Sequence, residues 1–115
     1  MKKNITEQFS LDKLNKIANG DEDFVREMIV LFLEKAPESL QIIINSGQSK
    51  DYAKLASQAH KLKSSLQIIA NQKIHEIIKE VETQANQGDE KKVALVIKEL
   101  EKQMELLFKY LKTQT

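Results

Sequence analysis

Apolar residues recur at alternating steps of three and four along most of this chain, and that period decides what it can fold into. Phe24, Met28, Phe32, Ala36, Leu40 and Ile43 form one series, and Tyr52, Leu55, Ala59, Leu62, Leu66 and Ile69 a second. Ile74, Ile77, Ile78, Val81 and Ala85 make a third, and Val93, Val96, Ile97, Leu100, Met104, Leu107 and Leu111 a fourth. Each series places its members on one side of an α-helix, whereas a half-buried strand needs strict alternation. With three glycines and one proline among 115 residues, there are few places where such helices can break.

The breaks fall between the series. Asn19-Gly20 closes a short leading helix built on Phe9, Leu11, Leu14, Ile17 and Ala18, which Ser10 is placed to cap. Asp21, Asp51 and Asp89 each stand where a carboxylate can accept from the free amides of a following helix. Gly47 is expected to end the second helix, Asn71 the third, and Gly88 in Asn86-Gln87-Gly88-Asp89 the fourth. Pro37 interrupts the second series, so a bend near Lys35 to Pro37, or two abutting helices, is expected there. The tail from Lys112 is expected to fray. Four helices of three turns or more with short connections predict an all-α fold. It is an antiparallel four-helix bundle with a short N-terminal capping helix, in one domain over residues 1–115.

Charge and composition exclude several functions. Eighteen basic and seventeen acidic residues are interspersed, so no field exists to attract nucleic acid or an anionic membrane. The absence of cysteine removes disulfides and thiolate chemistry. Met1-Lys2-Lys3 leads into polar residues rather than a signal-peptide core, and the longest apolar run, Met28 to Leu33, is far short of the roughly 20 residues that span a bilayer. A cytoplasmic protein is expected. Mixed surface charge without a further apolar stripe predicts a monomer.

One stretch carries chemistry. His60 lies about 130° from the centre of its helix's apolar stripe, so its imidazole should meet solvent, and Lys63 and Ser64 lie one turn further along. Histidine's unperturbed pKa of about 6.5 leaves a neutral imidazole available near pH 7. Such a ring can attack an activated phosphorus while an ammonium beside it offsets phosphoryl charge. Taken alone, His60 is also what a solvated histidine on a lysine-rich helix looks like. Register adds a further residue: His60 and Glu82 lie equally far on either side of Asn71, so antiparallel neighbours hold them at one height. A carboxylate there can accept from Nδ1–H, leave the Nε2 lone pair free, and stabilise a positive ring. An ordinary solvated helix glutamate fits Glu82 as well.

The order Ala59-His60-x-Leu62-Lys63-small-Ser65 resembles the signature of histidine-containing phosphotransfer (HPt) domains, the intermediate carriers of phosphorelays. The resemblance extends over about residues 11 to 108, through Gly20-Asp21-Glu22-x-Phe24, Phe32, Ala36-Pro37, Asp51, Val81-Glu82 and Gly88-Asp89. It implies that His60 is a phosphoacceptor, that Lys63 assists with phosphoryl charge, and that Glu82 orients the imidazole. Ser57, Lys61, Ser64 and Gln67 would surround the ring as a docking surface, joined by apolar residues of the second helix. It also implies partners: response-regulator receiver domains and a hybrid histidine kinase, the receiver bringing Mg²⁺ and the carrier needing no cofactor or metal of its own. HPt domains commonly have glycine where this chain has Ser64, and a second glycine is matched by Ala70. Serine is small enough for docking, with a hydroxyl that can bond the phosphoryl group, and a changed rate or partner choice is expected from it.

Other classes fit less well. A di-metal bundle needs inward Glu-x-x-His pairs, but Ser57 precedes His60 and Gln72 precedes His75 at that spacing, and His75 is expected on the surface. No glycine-rich phosphate loop marks an ATP site, so a phosphocarrier rather than a kinase is expected. Two alternatives share the resemblance: a helical module that binds a receiver or other signalling partner without accepting phosphate, and the phosphoacceptor domain of a chemotaxis-type histidine kinase.

Overall fold

The computed structural model describes residues 9–69 and 72–115, and among them every regular element is helical. The elements are α1 (Asp12–Ala18), α2 (Glu22–Gln48), α3 (Tyr52–Ile69), α4 (Gln72–Gln87) and α5 (Glu90–Lys112). Connections of two or three residues leave α2 to α5 no course but up and down. Each of the four packs on its sequence neighbours, α5 returns to α2, and the diagonal pairs stay apart, which makes a square bundle. The short α1 lies across α2 and α3, and Phe9 ahead of it stacks on Tyr110 of α5, with ring centroids 5.3 Å apart.

Local chemistry explains the helix starts. The carboxylates of Asp21, Asp51 and Asp89 accept from the backbone N–H groups of Phe24, Lys54 and Lys92 at 3.0, 3.2 and 3.1 Å. Each such cap stabilises its helix by about 1 kcal/mol. Asn19 (φ 51°) and Gly88 (φ 71°) take the left-handed turns that close α1 and α4. The apolar series point inward: Ile43, Leu55, Ala59, Leu66, Ile74, Ile78, Val81, Leu100 and Leu107 are wholly buried, and so is Ile29, outside the series, while Phe24 and Met28 are half-buried.

Several expectations are corrected. Gly47 does not end α2 but lies inside it, where an added Cβ would sit 2.5 Å from Ile97 Cδ1. Its role is to let α2 and α5 close together, and Lys50 (φ 61°) takes the left-handed position instead. Of the two outcomes expected at Pro37, a bend or two abutting helices, the second does not occur: α2 runs through it as one helix. The proline is exposed while Phe32, Ala36, Leu40 and Ile43 are buried on both sides of it, so packing outweighs the roughly 3 kcal/mol that an interior proline costs. Ser10 accepts from the Asp12 N–H at 3.2 Å, and Leu11 holds the cap position of α1 without a side-chain bond. Ile17 is exposed, because seven residues of helix offer a single deeply buried position, taken by Leu14. His75 is half-buried rather than on the surface, its Nε2 sealed from solvent. The break at Asn71 and the helix ending at Ala70 fall outside the described residues.

Candidate functional site

Two helices build the site. Ala59 is wholly buried on α3, which turns the next residue, His60, outward with its side chain 64% exposed. Val81 is wholly buried on α4, which places Glu82 at the edge of the α3/α4 seam, 24% exposed. The register across that seam brings His60 Nδ1 to 3.0 Å from Glu82 Oε2. Lys63, one turn along α3 and 21% exposed, donates from Nζ to the other oxygen, Oε1, at 2.8 Å. One carboxylate thus holds both the imidazole and the ammonium.

The charge state of Glu82 follows from these partners. The Lys63 hydrogen bond, aided by that of His60 and by both charges, holds its carboxyl below the usual 4.5 despite partial desolvation. An ionised carboxylate only accepts, so the ring nitrogen facing it carries the proton. In the neutral imidazole that leaves the lone pair on Nε2, the nitrogen directed away from Glu82. The arrangement therefore presents an oriented nitrogen nucleophile at an open surface.

The remaining sequence candidates lie around it. Ser57, Lys61, Ser64 and Gln67 are all exposed. Ser57, Ser64 and Gln67 share the His60 face by their spacing, while Lys61 is turned about 100° aside. Ser64 Oγ donates to the His60 carbonyl at 3.5 Å. Among the described residues no group of three or more His, Asp or Glu is placed to hold a metal ion.

Two features went unrecognised in the sequence. Lys63 was expected beside the ring, but its ammonium is held by Glu82; the register that aligns Glu82 with His60 also puts Lys63 within a long side chain's reach. The second is a groove of about 370 Å³ between α2 and α3, next to the site through Ser64. Met28, Leu31, Phe32, Leu62 and Ile68 make it apolar, and Leu31 and Val30 expose nearly half their surface on α2.

Comparison with known proteins bears on this geometry. The family model described as Hpt domain matches residues 27–110. The phosphorelay intermediate protein rdeA of Dictyostelium discoideum is 24% identical over 106 residues, which are 92% of this chain and 42% of that protein. The chain thus spans less than half the length of that relative. Histidine-containing phosphotransfer protein B (HptB) of Pseudomonas aeruginosa PAO1 has a similar fold in its crystal structure. Its TM-score is 0.84 over 93% of each chain, at 19% identity. Among the described residues no helix is long and apolar enough to cross a membrane.

Proposed function

The chain belongs to the Hpt domain family, and from that premise we propose that it carries a phosphoryl group on His60 between receiver domains of a two-component phosphorelay. The observation that carries this reading is the 3.0 Å contact of His60 Nδ1 with Glu82 on an otherwise open imidazole. A buried histidine could not meet a partner's aspartyl phosphate, and an unheld one would spread its lone pair over two nitrogens.

In the proposed reaction Nε2 attacks the phosphorus of an aspartyl phosphate in line. The nitrogen–phosphorus bond forms as the acyl phosphate bond breaks, and the aspartate leaves as its carboxylate. The ring becomes positive, and Glu82 stabilises it through Nδ1–H. Lys63 contributes positive charge on the same side, which offsets the charge of the phosphoryl group once His60 carries it. Delivery to a second receiver is the reverse step. The receiver brings its Mg²⁺, which neutralises phosphoryl charge, so this chain works without an ATP site or a cofactor. Ser57, Lys61, Ser64 and Gln67, with the apolar groove beside them, form the docking surface. The partners are response-regulator receivers and the receiver of a hybrid histidine kinase, met in the cytoplasm by a monomer whose residues 1–115 act as one domain.

The test is intact-protein mass after incubation with a phosphorylated receiver and Mg²⁺, with His60→Gln in parallel. Gain of one acid-labile phosphoryl group by the native chain alone is expected. Stable receiver binding without any gain would overturn the carrier reading and leave a phosphate-independent interaction module.

A further inference from the structure

We propose that the Ser64 hydroxyl binds the phosphoryl group on His60 and thereby lengthens the life of the phosphohistidine; this rests on His60 being the acceptor. The direction of the imidazole comes first. Nδ1 is committed to Glu82 on α4, and Nε2 diverges from it, so a phosphoryl group on Nε2 projects away from α4 and over the open face of α3. Ser64 stands on that face, one turn after His60, and also lines the groove on the α2 side. Helical side chains lean toward the preceding turn, which here is the turn of His60.

The hydroxyl is free to change partners. Its bond to the His60 carbonyl is 3.5 Å, beyond the usual range for O–H···O. That carbonyl is an internal helix acceptor, so releasing it leaves no group stranded. Lys63 cannot serve all three phosphoryl oxygens, because its ammonium is shared with Glu82 at 2.8 Å. Ser64 is the short donor left between the ring and the groove.

The sign of the effect follows from the reaction. As the nitrogen–phosphorus bond breaks, its electron pair returns to Nε2, so in a loose, metaphosphate-like transition state the peripheral oxygens carry less charge than in the bound phosphoryl group. A donor to those oxygens stabilises the starting state more than the transition state, so it slows cleavage of the nitrogen–phosphorus bond. For one exposed hydroxyl the effect is on the order of threefold.

Phosphoramidate is the donor for the test. The Nε2–P bond forms, the reagent's own P–N bond breaks, and ammonia leaves with the protons already on its nitrogen. After removal of the reagent, ³¹P NMR at neutral pH follows hydrolysis, in which water attacks phosphorus and the lone pair returns to Nε2. Ser64→Ala and Ser64→Gly should both shorten the half-life about threefold, and Ser64→Thr should keep it near native. The position is exposed and alanine favours helix, so folding is retained. Equal half-lives for native and Ser64→Ala overturn the proposal, as does shortening in Ser64→Gly alone, which would assign the effect to bulk. A native chain that takes no phosphoryl group from phosphoramidate removes the His60 reading and this proposal with it.

Discussion

Replacing Glu82 with glutamine keeps the shape of the side chain and removes its charge, and the geometry dictates which way the amide turns. Both carboxylate oxygens are in use, Oε2 by His60 Nδ1 at 3.0 Å and Oε1 by Lys63 Nζ at 2.8 Å. Glutamine has one oxygen to offer, so its NH₂ must face whichever partner loses. An ammonium bonds an amide oxygen more strongly than a neutral imidazole does, and Lys63 is the less exposed of the two partners. The oxygen therefore goes to Lys63 and the NH₂ faces the ring. Facing a donor, Nδ1 must accept, which moves the imidazole proton to Nε2 and takes the lone pair from the nitrogen that has to attack. Restoring the attacking tautomer breaks that amide–ring bond, which at this mostly exposed ring is worth on the order of 1 kcal/mol, or about a fivefold fall in the rate of phosphorylation by phosphoramidate. Nitrogen-15 NMR of the His60 ring reports the tautomer directly. Persistence of the Nδ1–H form in Glu82→Gln, with a rate within twofold of native, would refute the assignment of Glu82 as the orienting group.

Three further outcomes are expected. The Glu82 carboxyl is held below its usual 4.5, chiefly by Lys63, so its contribution to stability is complete above that pH and is lost as pH falls through the lowered folded-state value. The melting-temperature gap between native and Glu82→Gln should accordingly close in acid, and a gap that is constant from pH 7 to pH 2 would contradict the linkage. Leu66→Ala, at a wholly buried position on the inner side of α3, should destabilise by about 3 kcal/mol and lower the melting temperature by roughly 10 °C. Gly47→Ala gains up to about 1 kcal/mol of helix propensity and sets a methyl against Ile97 Cδ1, the far end of a side chain that can turn aside, so the two effects nearly offset and stability stays within about 1 kcal/mol of native. Adding Ile97→Val removes that carbon, and denaturant melts should show the double variant more stable than the sum of the single changes predicts.

The site was legible where it depended on short-range rules. His60 is outward because Ala59 and Leu62 are inward, and Glu82 meets it because antiparallel helices joined by a short connection keep residues equally far from it at one height. Lys63 was expected beside the ring, but its bond to Glu82 was not legible, since the end point of a four-carbon side chain depends on where the neighbouring helix stands. The groove between α2 and α3 escaped for the same kind of reason, because a gap belongs to two helices and is written in neither. Glutamine is mostly an exposed residue type, yet Gln84 and Gln103 are buried, their amides donating to Glu80 and Glu99 one turn earlier.

The apolar period and the capping aspartates, acting over one or two helical turns, determined the helices, their starts and the outward face that bears His60. Tertiary packing alone decided that Gly47 is a point of close approach, that α2 continues through Pro37, and that His60 and Lys63 share one carboxylate. The division has a physical reason. A helix is held by bonds between residues four apart and so can be read locally, whereas the separation of two helices is a balance of side-chain volumes summed along the whole seam.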